Sequence, residues 1–139
     1  MQKSLQLNYM MKYLELLKNL NLPPEQFAVF GSGPLAIRGW RENKDIDIIV
    51  TSALWNELRK KYTLYNEKSI RIEVIEIFRD WKPWFHDVEE LIKTADFFEN
   101  IRFVNLENVL KWKEAMNRKK DREDIKLIRK HKILETNSR

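Results

Sequence analysis

The chain has 139 residues, 43% of them hydrophobic and 34% charged, with two histidines and no cysteine. That suits one domain, 1–139, burying roughly two thirds of its unfolded surface; it excludes disulfide and thiolate chemistry and argues against a zinc site. No apolar run reaches the ~18 residues of a membrane span, and the start carries no signal-peptide core, so a cytoplasmic protein without a membrane partner is expected. The formal charge of +5 is uneven: residues 111–139 hold eleven Lys/Arg against five Asp/Glu, and the rest is within one charge of neutral. Such a basic end suits phosphate-bearing ligands, a nucleotide or RNA, although a solvated helix face would carry the same residues.

Apolar residues at helical spacing predict a helix over 4–20, stopped by Pro23 and Pro24. Residues 27–30 form a buried strand closed by Gly31-Ser32-Gly33-Pro34, and Pro34 opens a short helix. Residues 45–50 are the clearest strand, and Thr51 or Ser52 caps a helix to about 61. Strands follow at 62–65 and 70–78, the second strongly β-branched. The stretch 80–87 is aromatic and irregular. A helix over 88–95, a strand over 101–104, an Asn105-capped helix through 116 and a last helix over 121–130 complete a single α/β (α+β) domain. The short connections within 60–70 permit hairpins, so the strand directions are mixed.

Two places carry chemistry. After the first strand, Gly31-Ser32-Gly33 lets backbone approach an anion closely, with helix amides and the Ser32 hydroxyl as donors. Alone, such a turn as often merely joins strand to helix. In Asp45-Ile46-Asp47 the carboxylates lie two apart and share one face of the strand, while Ile46 and Ile48 enter the core. Paired carboxylates repel unless a cation sits between them; magnesium fits, because substrate phosphates and water complete its shell. An edge strand with two solvated acids is the plain alternative.

Taken together, Phe30-Gly31-Ser32-Gly33-Pro34-Leu35-Ala36-Ile37-Arg38-Gly39, then Arg41, then Lys44-Asp45-Ile46-Asp47-Ile48-Ile49-Val50 resembles the nucleotidyltransferase superfamily with the DNA polymerase beta-like catalytic fold. The likeness is to its small stand-alone members. It implies a small mixed sheet with helices mainly on one face and a helical C-terminus. It further implies that Gly31, Ser32 and Gly33 meet the triphosphate of an NTP such as ATP. Asp45 and Asp47 would hold magnesium, two ions in all, with manganese an alternative. A third carboxylate is implied on a neighbouring strand. Glu76 is preferred because Val74 to Phe78 resembles the third-strand segment of small members. Parity in one strand argues for the alternative Glu73, which shares a face with Arg71 while Glu76 shares one with Ile70, Ile72 and Val74. Only one of the two can face the site. The ending from Leu110 to Ile125 is also similar, which implies Lys113 and Lys120 at the phosphates, and Asp121 and Asp124 fixing the basic helix. Arg41 flanks the site and is expected to reach a phosphate. Trp81, Trp84, Phe85 and His86 offer faces for a base or acceptor, or pack beneath the sheet.

The resemblance implies transfer of a nucleoside monophosphate to an acceptor hydroxyl of a small molecule, RNA or protein, releasing pyrophosphate. Two rivals stand beside it. One is a nucleotide-binding module without turnover, acting with a protein partner or a second copy. The other is a basic RNA-binding protein that uses residues 111–132.

Overall fold

The structure, a computed structural model, describes residues 11–79 and 87–137. Helix α1 (Leu14–Asn19) follows Tyr13, which sits in the left-handed region at φ 69°. Only the end of the helix predicted over 4–20 is therefore seen, and residues 4–10 lie outside the described ones. A single 3₁₀ turn (Pro24–Gln26) leads into β1 (Phe27–Phe30), whose four residues are all buried. Then come α2 (Gly33–Ala36), β2 (Ile46–Val50) and α3 (Ser52–Lys61). Between the two offered caps the fold selects Thr51, whose hydroxyl oxygen accepts from the Leu54 amide at 3.2 Å. Next are β3 (Ser69–Ile72), β4 (Ile75–Phe78), α4 (Val88–Lys93), β5 (Asp96–Phe98) and β6 (Ile101–Phe103). Helix α5 (Leu106–Met116) is capped by Asn105 as expected, and α6 (Lys119–Asn137) runs further in both directions than the predicted 121–130.

The strands depart from expectation at three places. Residues 62–65 are not a strand. Tyr62, Leu64 and Tyr65 are exposed, since the place beside β4 belongs to β3 and β-propensity without a face to bury does not make a strand. The single strand over 70–78 is a hairpin. Glu73 takes a left-handed φ of 53°, and the chain reverses so that Ile72 pairs with Ile75. The unforeseen β5 joins β6 through Glu99 and Asn100, both at positive φ, the geometry of a two-residue hairpin loop.

The six strands lie in the order β3-β4-β2-β1-β6-β5. The pairs β2/β4 and β1/β6 are parallel, and the other three are antiparallel. Helices cover both faces of this sheet, which corrects the expected one-sided packing. On one face Val29, Ile46, Ile48, Ile75 and Ile77 meet Leu14 and Leu17 of α1 and Leu54, Trp55 and Leu58 of α3. On the other, Ala28, Phe30, Ile49 and Phe78 meet α4, α5 and Ile128 of α6. Runs such as Ile46-Asp47-Ile48-Ile49-Val50 are apolar on both sides, which demands two cover layers. Among the described residues no helix is long and apolar enough to cross a membrane.

Candidate functional site

The second sheet face is not apolar throughout. Strand parity sends Ile46, Ile48, Ile75 and Ile77 to the first face, which leaves Asp47 and Glu76 on the second beside Ile49 and Phe78. The parallel register sets Asp47 directly opposite Glu76. Asp45 lies one residue before β2 with the parity of Asp47. The approach to it is pinned by Asn43, whose buried amide donates to the carbonyls of Asp45 (3.1 Å) and Lys12 (3.0 Å).

Opposite Asp47 on its other side stands Phe30, the last residue of β1, so the turn that follows drops beside the carboxylate. Gly31 there has φ 70°, and a Cβ built on it would lie 2.8 Å from Asp47 Oδ2. Glycine is required at this point by both backbone and space. Ser32 is half-buried, and its hydroxyl makes no capping bond to α2. Gly33 is buried, and a Cβ there would meet Val29 Cγ1 at 2.3 Å. Its small size is spent on closing α2 onto β1.

These residues share one cleft of about 600 Å³ that brings together Gly31, Ser32, Arg41, Asp45, Asp47, Glu76, Lys113 and Lys120. Of the described residues expected at the phosphates and the metal, all line this cleft except Gly33 and the alternative Glu73, which the β3–β4 turn carries away. Trp40 faces a neighbouring cleft, its ring stacked on His131 at 3.8 Å between centroids. Trp81, Trp84, Phe85 and His86 lie outside the described residues.

Charge in the cleft is organised. Asp47 is pushed up to about 7, chiefly by burial, then by repulsion from Asp45 and Glu76; Lys120 and Arg71 pull the other way. Glu76 is turned toward β3, where Ser69 Oγ donates to Oε2 at 2.7 Å and Arg71 Nη1 stands 3.7 Å from Oε1. Among the described residues no group of three Asp, Glu or His side chains is ready to hold a metal ion by itself. The aspartate pair still suits a cation whose remaining ligands come from substrate and water, since such a charge answers the repulsion that disturbs Asp47.

The C-terminal basic residues divide into two kinds. Lys113 is almost fully buried, with Nζ 2.9 Å from Asp124 Oδ2 and 3.7 Å from Asp121 Oδ1. Arg41 Nη1 donates to both oxygens of Asp124, at 2.7 and 2.8 Å. Arg118 donates from Nε, Nη2 and its amide to Asp121. Burial acts to raise Asp121, but the Arg118 bonds and the nearby Lys113 outweigh it and hold the carboxyl below its usual range. The two aspartates hold the end of α5, the start of α6 and the Arg41 loop together. Lys120, by contrast, is exposed at the cleft rim. Lys44 and Arg118, which lie in the segments that carry the resemblance but were given no role there, also line the cleft, and Ser69, which only the register of β3 reveals, supports Glu76.

The arrangement is a half-buried carboxylate pair beside a glycine-lined turn, with cations around the mouth. Comparison with protein-family models, with curated proteins and with solved structures finds no match for this chain.

Proposed function

We propose that this cleft binds a nucleoside triphosphate with magnesium and transfers its nucleoside monophosphate to an acceptor hydroxyl. The observation that carries the reading is the meeting of Gly31, Asp47 and Glu76, residues from three separate strands or their ends, within one cleft. Asp45 and Asp47 would hold the metal. Magnesium, when bound, acidifies the acceptor hydroxyl and neutralises charge on the departing pyrophosphate. The Gly31-Ser32 turn gives phosphate oxygens close backbone approach and a hydroxyl donor. Lys120 and Lys44 supply positive charge at the mouth, while Arg41 and Lys113, tied to Asp124, form a rigid wall. Glu76 stands ready to accept the acceptor's proton once freed from Ser69.

The expected result is magnesium-dependent release of pyrophosphate from ATP by the wild type, abolished in Asp47→Ala with the circular-dichroism spectrum retained. Equal release by the variant sinks the proposal. One observation favours a second reading, a nucleotide-binding module without turnover: Ser69 and Arg71 already engage Glu76. Calorimetric binding of ATP with magnesium, without pyrophosphate release on any acceptor, selects that reading.

A further inference from the structure

Along α6 the fold separates charges that the sequence mixes. Asp121 and Asp124 point inward with Ile125 and Ile128, fully buried or nearly so. Their partners Lys113, Arg118 and Arg41 come from other segments, so both carboxylates are consumed beneath the helix. From Lys119 to Lys130 the exposed charged residues are then six cations, Lys119, Lys120, Arg122, Lys126, Arg129 and Lys130, against the single acid Glu123.

Four of the cations, Lys119, Arg122, Lys126 and Lys130, recur at i, i+3, i+7 and i+11, which places them in one stripe opposite the buried face. The stripe extends over about 16 Å at 1.5 Å per residue. Arg129 is answered by Glu114. Lys119, Lys120, Lys126 and Lys130 have no carboxylate within ion-pair distance among the described residues. None of the four stripe cations lines the cleft, but Lys120 and Glu123, on the flank of α6 beside the N-terminal end of the stripe, do.

From this we infer that the exposed face of α6 is a docking track for the phosphate backbone of a nucleic-acid strand, whose end it leads toward the cleft. A regular row of unanswered cations on a rigid helix matches a repeating anion, and each phosphate neutralised releases condensed counterions. The strand is taken as single, because it is a free end that has to reach the carboxylates of the cleft. The inference deepens the proposed function by naming a polynucleotide as the acceptor. Binding along the track is a separate property from nucleotide binding in the cleft.

The test uses the full chain and a fluorescein-labelled 20-nucleotide oligouridylate, read by anisotropy across a salt series. Wild type is expected to bind with log affinity falling against log salt at a slope of roughly −2 to −3, as three or four phosphate contacts on a single strand require. Lys126→Glu with Lys130→Glu should weaken binding at least tenfold at low salt. Lys60→Glu with Lys61→Glu, the same charge change at the end of α3, should leave affinity within twofold. Equal losses in the two double variants overturn the track, because net charge alone then explains binding. Competition by polyglutamate as strong as by unlabelled oligouridylate, at equal charge concentration, overturns the nucleic-acid assignment in favour of an acidic protein. Calorimetry with ATP and magnesium reads the nucleotide proposal separately. Wild type that binds ATP but not RNA overturns this inference alone, and wild type that binds RNA but not ATP leaves the track standing but overturns the nucleotide proposal together with the acceptor role that rests on it.

Discussion

Gly31 ties conformation to site at the scale of one residue. Its positive φ and the 2.8 Å approach of Asp47 Oδ2 to a Cβ built there mean that alanine must both strain the backbone and displace the carboxylate. Gly31→Ala is expected to cost roughly 1–3 kcal/mol in urea unfolding and to weaken ATP binding as well. At Asp47 the sign of the pH effect can be worked out. Its carboxyl titrates near 7 in the folded chain against 3.8 unfolded, so the native state holds the extra proton. The stability this contributes is full below about pH 4 and is lost as pH rises through 7. Asp47→Asn removes the penalty. The variant should match wild type at pH 4 and exceed it at pH 8 by roughly 1–2 kcal/mol, several degrees in Tm, without added metal. Such a gain paired with lost activity marks a site held at the expense of stability. Sequence spacing was sufficient to place Asp45 and Asp47 on one face, because alternation along a strand is a local property. It could not settle Glu73 against Glu76, since both lay in what read as one strand. The reversal at Glu73 resets parity, and pairing with β2 brings Glu76 opposite Asp47.

Among the elements, α5 and α6 are joined through buried ions as well as through apolar contact. Lys113 on α5 is held by Asp121 and Asp124 of α6, and Asp124 also grips Arg41 from the loop before β2. Asp124→Ala leaves two cations without their shared carboxylate, one of them nearly fully buried. It is expected to cost about 3–5 kcal/mol by chemical denaturation. Lys113→Met with Asp124→Leu should recover much of that loss, with Arg41 the remaining unmatched charge. A double variant as unstable as the single one would show that the helices depend on the charges themselves. Capping was legible here: Asn105 was expected to start α5, and its Oδ1 accepts from the Asn108 amide at 2.9 Å. The helix over 88–95 and the strand over 101–104 were also legible within a residue or two. Strand β5 was not, because three residues, Asp96–Phe98, carry too short a pattern to stand out and gain their identity only by pairing with β6.

For the whole molecule, the decisive feature is a sheet with helices on both faces and a cleft left open where the second layer meets acidic strand positions. If this cleft takes ATP with magnesium, ligand at about a hundred times its dissociation constant should stabilise the chain by roughly 2.7 kcal/mol, and Tm should rise. The rise should vanish in Asp45→Asn with Asp47→Asn. An equal rise in wild type and variant would place the nucleotide elsewhere. The sequence by itself determined the α/β class, most of the element order, the glycine turn, the aspartate pair and the basic C-terminal segment. These follow from local rules: strand and helix periods, proline and glycine geometry, and the distribution of charge. Only the tertiary structure decided that Glu76 rather than Glu73 faces Asp47, that Gly33 serves packing, and that Lys113 is a buried strut while Lys120 stands at the rim. Each of those depends on which strand pairs with which and on which side of α6 faces the sheet, contacts between residues far apart in the chain that no local pattern encodes.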